Sequence, residues 1–300
     1  MKRCVISIGN FDGVHLGHRK LLERMELIAA ERGLESVVIT YDVPPAYTLK
    51  KDAKPVLLTP IDYKRSILKG LGIDRIEVIP FDEDFANTSA DSFLLEYLIP
   101  MFNPQMIIVG YDSHFGHNRE GDYRFLLEHA RAFDYELEYI EPCLFGTEPI
   151  SSTMIRKLLL SGDIETANEL LTQPYRLFGK ISRGLGIGRE LGFPTANLVL
   201  DDAHQLIPKC GIYLSRVHLA AGIFFGLTNI GTSPTVKHSG IVEIETFVID
   251  FDADVYDARM EIELLKYLRE ERMFDGKAGL IKVMHDDLQK ARAIIGGAVS

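Results

Sequence analysis

A glycine-rich stretch at residues 184–197 combines residue types that suit a nucleotide phosphate. Glycines at alternating positions let the backbone lie close to a ligand, so that amide N–H groups can converge on an anion. Arg189 adds a cationic fork, and Thr195 and Asn197 offer oxygens of the kind that Mg²⁺ accepts beside nucleotide phosphates. The glycines are Gly184, Gly186 and Gly188. We predict a phosphate-binding loop here, although each glycine taken singly also fits an ordinary loop between strands.

A second candidate site is the loop at residues 9–18, GNFDGVHLGH, which follows a short apolar run. His15 and His18 lie at the predicted start of a helix, where backbone N–H groups and the helix dipole favour phosphate. Two imidazoles there can stabilise charge that develops on a phosphoryl group and on a leaving pyrophosphate. The spacing and location predict phosphate chemistry rather than a metal site, and a loop that merely caps the helix is the alternative.

Two further segments carry groups suited to ATP chemistry. In residues 149–159, hydroxyl side chains precede Arg156, which lies one helical turn further on and can pair with a triphosphate. A simple capped helix also accounts for these hydroxyls. In residues 241–251, strand alternation places Glu243, Glu245 and Phe247 on one face, so that a carboxylate could take the proton of an attacking alcohol. Two solvated, outward-facing acids are the alternative.

The elements that must position these residues fall into two groups. In the first half, short apolar runs alternate with helical patterns, which indicates a parallel sheet with helices on both faces. The runs are residues 4–8, 36–40, 75–79, 105–109 and 135–140, and the helical patterns between them are residues 61–69, 90–98 and 122–132. Ligands of such sheets bind at the C-terminal ends of the strands, where the loop at residues 9–18 falls.

The second half changes character after an amphipathic helix at residues 163–171, which Gln173 and Pro174 end. We therefore predict two domains, at residues 1–172 and 173–300. Consecutive strand-like runs without intervening helices indicate an antiparallel barrel, capped by a late helix at residues 276–295. The runs are residues 175–182, 211–217, 223–229, 241–251 and 260–267.

Composition narrows the partners and the compartment. The 300 residues carry a formal net charge of −10, which argues against a broad nucleic-acid or membrane surface. The three cysteines are far apart and form no C-x-x-C pair, which is typical of a reducing cytosol. With no targeting or membrane-spanning segment in the pattern, we expect a cytoplasmic protein with small-molecule partners. A weak or transient homo-oligomer is compatible with this expectation.

The first half resembles a known group. Residues 9–18 resemble the signature of nucleotidyltransferases that join a nucleoside monophosphate from ATP to a phosphorylated acceptor and release pyrophosphate. Together with residues 109–122 and 149–159, they resemble the adenylyltransferase half of bacterial bifunctional riboflavin kinase/FAD synthetases. The resemblance implies a Rossmann-like nucleotidyltransferase domain that converts FMN and ATP to FAD, with His15 and His18 as catalytic residues and a flavin contact by Asp12. The implied ATP contacts are Gly9, Asn10, Phe11, Asp112, Ser151, Ser152, Thr153 and Arg156.

The second half resembles the riboflavin kinase of the same family. Residues 188–197 resemble its phosphate-and-magnesium loop, which implies that Thr195 and Asn197 hold Mg²⁺ and the ATP phosphates. A Glu six residues before the Phe of an Asp-Phe pair implies Glu245 as the base. Residues 267–275 resemble the segment near the flavin ring, which implies a flavin contact by Arg269. The whole chain would then make FMN from riboflavin and ATP in a riboflavin-kinase barrel, and FAD from FMN.

Three residues depart from the family's usual pattern. Pro44 and Met154 stand where a His and an Arg are frequent, and Phe247 replaces a usual His. The first two departures motivate one alternative, a chain with only the kinase activity. A second alternative is a flavin-binding sensor that holds FMN in a kinase-like barrel without turnover.

Overall fold

The computed structural model describes residues 3–43, 56–183, 192–232, 242–253, 255–272 and 276–298. By packing, the chain divides into two compact units, Met1–Met154 and Ile155–Ser300. Pro44 and the residues Gly184, Gly186, Gly188 and Arg189 lie outside the described residues.

The first unit contains a parallel sheet of five strands in the order β3-β2-β1-β4-β5, which confirms the predicted fold class of this half. Its elements are β1 Cys4–Ile8, α1 Leu16–Arg32, β2 Glu35–Tyr41, α2 Ile61–Gly70, β3 Arg75–Ile79, α3 Glu83–Ala86, α4 Ala90–Ser92, a π-helix Phe93–Leu98, α5 Ile99–Phe102, β4 Pro104–Gly110, a 3₁₀ turn His117–Arg119, α6 Tyr123–Ala130, β5 Glu136–Ile140 and a small hairpin of β6 Leu144–Phe145 and β7 Glu148–Pro149. Strand β1 is buried on both faces, since Cys4, Ile6 and Ile8 pack into one core cluster and Val5 into another.

The strand order determines where a ligand can bind. Strand β1 pairs with β2 on one side and with β4 on the other, so the chain reverses its direction across the sheet between β1 and β4. The loops that follow these two strands leave from the same C-terminal edge. Ligands of open parallel sheets bind in the crevice where neighbouring strands continue in opposite directions across the sheet. Here that crevice lies between residues 9–18, which follow β1, and residues 111–122, which follow β4.

The helix predicted at residues 90–98 is longer and less regular than expected. Helical structure runs from α4 through the π-helix into α5. Pro100 has no amide N–H to donate to the carbonyl one turn earlier, which is a physical reason for the altered hydrogen-bond register just before it. The stretch ends at Asn103, which adopts the left-handed conformation with φ 44°.

The second unit is a closed barrel in the order β10-β11-β12-β9-β8-β13, and its strands pair antiparallel as predicted. Its elements are α7 Ser152–Ser161, which begins in the first unit, α8 Ile164–Leu171, β8 Tyr175–Ser182, β9 Thr195–Leu200, β10 Gly211–Leu219, β11 Gly222–Thr232, β12 Val242–Val248, β13 Arg259–Arg269 and α9 Lys277–Ala298. Sequence analysis missed β9, because the predicted glycine-rich loop includes its first three residues, Thr195 to Asn197.

The barrel interior and exterior have different chemistry. Inside, Ser215, Thr228 and Thr246 form a hydrogen-bonded row across three strands, with hydroxyl distances of 2.8 and 2.9 Å. Outside, apolar side chains of β10, β11 and β12 pack against α9, for example around Leu227 and Ala291. Helix α9 therefore covers part of the outer surface, as predicted for the late helix.

Helix α8 packs with the barrel, although it precedes the predicted domain boundary near residue 172, which stays a prediction. The predicted boundary near residue 172 would place this helix in the first half. In the structure, Asn168 donates to the Leu264 carbonyl at 2.8 Å and accepts from the Tyr175 amide at 2.7 Å. Because these bonds tie α8 to strands β13 and β8, the helix packs with the barrel, within the compact unit Ile155–Ser300.

Candidate active sites

The loop after β1 ends at the N-terminus of α1, where His15 and His18 lie close together. His15 is the N-cap, and its Nδ1 accepts a hydrogen bond from the His18 amide at 3.4 Å. The two imidazole rings stack with their centroids 3.6 Å apart. Since Nδ1 of His15 accepts, its neutral ring carries the proton on Nε2. The predicted pair is thus a compact unit at a helix N-terminus, where anions are favoured.

His18 is held neutral in this arrangement. Burial lowers the pKa of His18 well below its usual range, and electrostatic interactions with His15 and Lys64 lower it further. Its Nδ1 and the Asn10 Oδ1 are buried atoms with no hydrogen-bond partner among the described residues. Unpaired buried polar atoms are rare in proteins and call for an explanation. A bound nucleotide phosphate would supply one for the His18 Nδ1, which can donate to a phosphate oxygen when it carries the ring proton, whereas the Asn10 Oδ1 is an acceptor and needs a donor.

The loop backbone is strained and tightly buried. Phe11 and Val14 adopt left-handed backbone angles, with φ 49° and 43°, which bulky and β-branched side chains rarely do. Their side chains are 2% and 0% exposed, so packing holds the conformation. Strain of this kind concentrates at binding and catalytic loops, where the surrounding structure keeps it in place.

Asp12 stabilises the loop from inside. Its carboxylate accepts from the Leu58 and Thr59 amides at 3.0 and 3.1 Å, and its carbonyl accepts from Ser152 Oγ at 2.9 Å. The predicted flavin contact of Asp12 stays a prediction, and the structure gives the carboxylate this further role. Ser152, at the start of α7, is therefore bonded to this loop within the first unit.

The remaining predicted ATP contacts of the first half have mixed positions. Ser151 Oγ accepts from the Met154 amide at 3.3 Å, which is the capping role considered as the alternative for these hydroxyls. Thr153 is exposed, Arg156 lies one turn after Ser152 on α7, and exposed Asp112 follows β4. Their contacts with ATP stay predictions.

Lys64 is a residue of this site that sequence reasoning missed. Its side chain lies beneath the loop, and Nζ donates to the Asn10 carbonyl at 2.9 Å and to Thr40 Oγ1 and the Tyr41 carbonyl at 3.0 Å. Burial lowers the pKa of Lys64 to about 8, against the opposing effect of nearby acidic groups. A lysine on the apolar stripe of α2, one turn before the buried Leu68, is the sequence signal that could have identified it.

An aromatic pocket opens beside the C-terminal ends of β2 and β3. Tyr41 and Phe81 pack edge to face with centroids 5.1 Å apart, and Phe93 and Phe115 lie 5.4 Å apart. The pocket is lined by Tyr41, Phe81, Phe85, Ala86, Thr88, Phe93, His114, Phe115, Gly116, His117, Asn118 and Arg119. Sequence reasoning treated residues 114–119 only as part of a family motif, because the aromatic side chains come from segments that only the fold brings together.

The second site lies on the outer face of the barrel. Glu245 on β12 is directly opposite Asn197 on β9, and Phe247 is opposite Thr195. Directly opposite residues of antiparallel strands share a face, with Cβ atoms about 5 Å apart. The base and both metal ligands predicted from the sequence therefore come together on one surface. Burial raises the pKa of Glu245 above its usual range, and the neighbouring Glu243 raises it further.

Arg269 has a strong partner within the second unit. Its guanidinium binds the Asp287 carboxylate of α9 through Nε at 3.0 Å and Nη2 at 2.7 Å. The carboxylate side chain is 4% exposed and that of Arg269 is 12% exposed. The predicted flavin contact of Arg269 stays a prediction, and the pair also anchors α9 to β13.

The architecture defines a class of two-domain enzymes. The first unit is an α/β fold whose loop at residues 9–18 suits a phosphate, and the second is a barrel in which a carboxylate lies beside hydroxyl and carboxamide oxygens. Residues 1–154 match the family model of FAD synthetase, and residues 171–295 match that of riboflavin kinase. This chain belongs to the bifunctional riboflavin kinase/FMN adenylyltransferase family.

Several curated relatives carry the name bifunctional riboflavin kinase/FMN adenylyltransferase. The Bacillus subtilis protein is 34% identical over 292 residues, which cover 96% of this chain and 92% of that protein. The Listeria monocytogenes protein is 33% identical over 290 residues, covering 96% and 91%, and the Escherichia coli K12 protein is 32% identical over 295 residues, covering 98% and 93%.

A solved structure from Streptococcus pneumoniae shares the fold, with a TM-score of 0.89 and 27% identity over 97% of this chain and 94% of that one. It is described as a macrolide-efflux protein, a description that concerns that protein alone. Among the helices described here, none is long and apolar enough to cross a membrane.

Proposed function

We propose that the barrel phosphorylates riboflavin with ATP to give FMN, and that the first unit transfers AMP from a second ATP to FMN to give FAD and pyrophosphate. The observation that carries the first reaction is the register that places Glu245 opposite Asn197. The observation that carries the second is the stacked histidine pair at the N-terminus of α1.

In the kinase reaction, Glu245 accepts the proton of the terminal ribityl hydroxyl as that oxygen attacks the γ-phosphorus of ATP, and the bond from this phosphorus to the bridging oxygen breaks to release ADP. The pKa of Glu245, raised by burial and by Glu243, makes the carboxylate a stronger proton acceptor than a solvated one. Glu245 is half-buried on β12, a strand that pairs on both sides, so its backbone is positioned before the substrate arrives.

The residues beside Glu245 fit a magnesium ion. Thr195 and Asn197 alternate with buried Ala196 along β9, so their hydroxyl and carboxamide face the same side as the carboxylate. Oxygen ligands of this kind, completed by phosphate oxygens and water, are those that Mg²⁺ prefers. Bound there, Mg²⁺ would neutralise charge on the β- and γ-phosphates. On this basis we propose that Mg²⁺ binds at Thr195 and Asn197. We also propose that the loop at residues 184–189 binds the ATP phosphates.

In the adenylyl transfer, a phosphate oxygen of FMN attacks the α-phosphorus of ATP and pyrophosphate leaves. The FMN phosphate is already ionised, so the step needs positioning and charge stabilisation rather than a general base. The N–H groups of His15 and His18 can donate to phosphate oxygens, and the free amides of the α1 N-terminus favour the same charge. The strained backbone of Phe11 and Val14 keeps the loop in this shape.

The aromatic pocket gives the acceptor of this step a place to bind. A flavin ring is flat and largely apolar, and the ring faces and edges of Tyr41, Phe81, Phe93 and Phe115 suit it. The pocket lies at the same sheet edge as the histidine loop. We propose that it holds the isoalloxazine ring of FMN.

The test is a time course of purified protein with riboflavin, ATP and Mg²⁺, in which the flavins are separated by chromatography. Wild-type protein should form FMN and then FAD, Glu245→Gln should form no FMN, and His18→Ala should stop at FMN. Wild-type protein that stops at FMN would support the single-activity alternative. Tight flavin binding without ADP release would support the sensor and overturn the proposal.

The proposal also covers the cellular compartment. The proposed reactions consume small molecules, and the structure has Cys4, Cys143 and Cys210 as free thiols, as suits a reducing compartment. We propose a cytoplasmic enzyme on these grounds.

A further inference from the structure

Asn229 on β11 has a buried side-chain oxygen that the proposed mechanism does not use. Its Oδ1 has no hydrogen-bond partner among the described residues. By contrast, the inward-facing neighbours on the same strand are fully satisfied or apolar: Thr228 joins the hydroxyl row of the interior, and Ile230 is 0% exposed. An unpaired buried carboxamide oxygen weakens the fold, so a ligand contact is a physical reason for its presence.

The strand register places this oxygen next to the proposed catalytic base. Asn229 is directly opposite Glu245, which is in turn opposite Asn197. On its other side Asn229 is opposite Ile212, and Ile212 is opposite Arg269. These five residues form one row across the outer face of the barrel, with about 4.8 Å between neighbouring strands.

The order of the row indicates what Asn229 meets. Asn197 lies on the side of Glu245 where we propose that the metal and the ATP phosphates bind. The attacking hydroxyl must lie between Glu245 and the γ-phosphate, so the rest of the acceptor's chain extends in the opposite direction. Asn229 is the next residue in that direction. The chain between the attacking hydroxyl and the flavin ring is a polyol, whose hydroxyl groups donate hydrogen bonds.

We propose that Asn229 binds a secondary hydroxyl of the acceptor's polyol chain, and so selects a polyol-bearing alcohol as the kinase substrate. The inference rests on the proposed riboflavin kinase activity. The bond satisfies the buried oxygen only when the acceptor is present, and it positions the terminal hydroxyl beside Glu245.

A comparison of two acceptors tests the contact. One is riboflavin, and the other is its analogue with a 5-hydroxypentyl chain, which keeps the terminal hydroxyl and lacks the secondary ones. Each is measured as a substrate and as a competitive inhibitor with the full chain. Asn229→Ala should lower kcat/KM for riboflavin about 10- to 30-fold, the value of one lost hydrogen bond. The same variant should change the analogue's constants by less than about threefold.

Thermal stability separates substrate binding from a structural role. Replacing the unpaired carboxamide with an apolar group of similar size should stabilise the empty barrel, so Asn229→Leu should raise the Tm by a few degrees. Asn168 is the matched control, because both ends of its carboxamide are bonded within the same unit. Asn168→Leu should lower the Tm and leave the discrimination between the two acceptors unchanged.

The possible outcomes separate a failure of the Asn229 contact from a failure of the proposed kinase activity. Equal losses for both acceptors in Asn229→Ala would overturn the polyol contact while leaving the kinase activity in place. Wild-type protein that does not phosphorylate riboflavin would overturn the proposed function itself. FAD formation from added FMN should be unchanged in all three variants, and Asn229→Ala alone decides the contact if Asn229→Leu does not fold.

Discussion

Replacing Lys64 with Met should reveal a buried ammonium group through the pH dependence of stability. The side chain is 3% exposed, and its pKa falls from 10.5 in water to about 8 in the folded protein. The cause is burial, opposed by Asp12 and Asp42. Because the folded pKa is the lower one, the ammonium disfavours folding below about pH 8, and this penalty disappears as the pH rises towards 10.5.

The size of the effect follows from the shift. A depression of this size corresponds to roughly 3 kcal/mol against the folded state near pH 7, and about 2 kcal/mol of it is removed by about pH 9.5. Lys64→Met has no such titration. The stability of the wild type relative to the variant should therefore increase by about 2 kcal/mol between these two pH values. Other titrating groups, such as the buried Tyr41, cancel in the difference because both proteins contain them.

The assay is urea unfolding followed by circular dichroism, since the chain has no tryptophan to serve as a fluorescent probe. Lys69→Met is the matched control, because Lys69 is exposed on the same helix. This variant is carried through the same pH series to account for the loss of a surface charge. A difference for Lys64→Met that is the same at both pH values would refute the buried-ammonium argument.

Three other predictions concern the base, the barrel wall and the aromatic pocket. Riboflavin phosphorylation by the wild type should lose rate on acidification at a higher pH than an ordinary carboxylate would cause, since burial raises the pKa of Glu245. Steady-state rates against pH test this, and a rate that falls only in the range of a solvated carboxylate would contradict it. Glu263→Gln should lower the free energy of unfolding of the barrel by about 2 to 4 kcal/mol, because the carboxylate is 2% exposed and binds Arg176 at 2.6 Å and Arg216 at 3.0 Å. Urea unfolding measures this loss, and a value below about 0.5 kcal/mol would contradict the prediction. Phe115→Ala should raise the KM for FMN about tenfold or more without affecting riboflavin phosphorylation, and an unchanged KM would exclude the pocket as the flavin site.

Much of the fold could be predicted because its signals are local. The strands at Cys4–Ile8 and Arg75–Ile79 begin and end where their apolar runs do, and Tyr175–Ser182 also has its predicted bounds. Strand β9 was missed because its signal overlaps with the glycine-rich stretch before it. Helix α8 looks the same in sequence whichever side it packs on, so only the structure shows that it packs with the barrel.

The amino-acid sequence by itself determined the α/β and barrel classes, because periodicity and glycine spacing are properties of neighbouring residues. Short motifs predicted the histidine loop, and the family resemblance predicted Glu245 as the base. Only the tertiary structure decided which distant residues meet. Barrel closure places Asn229 and Asn197 on either side of Glu245, and helix packing brings Lys64 beneath the Asn10 carbonyl. Contacts of this kind depend on strand register and on burial from several elements at once, and no local pattern in the chain encodes either.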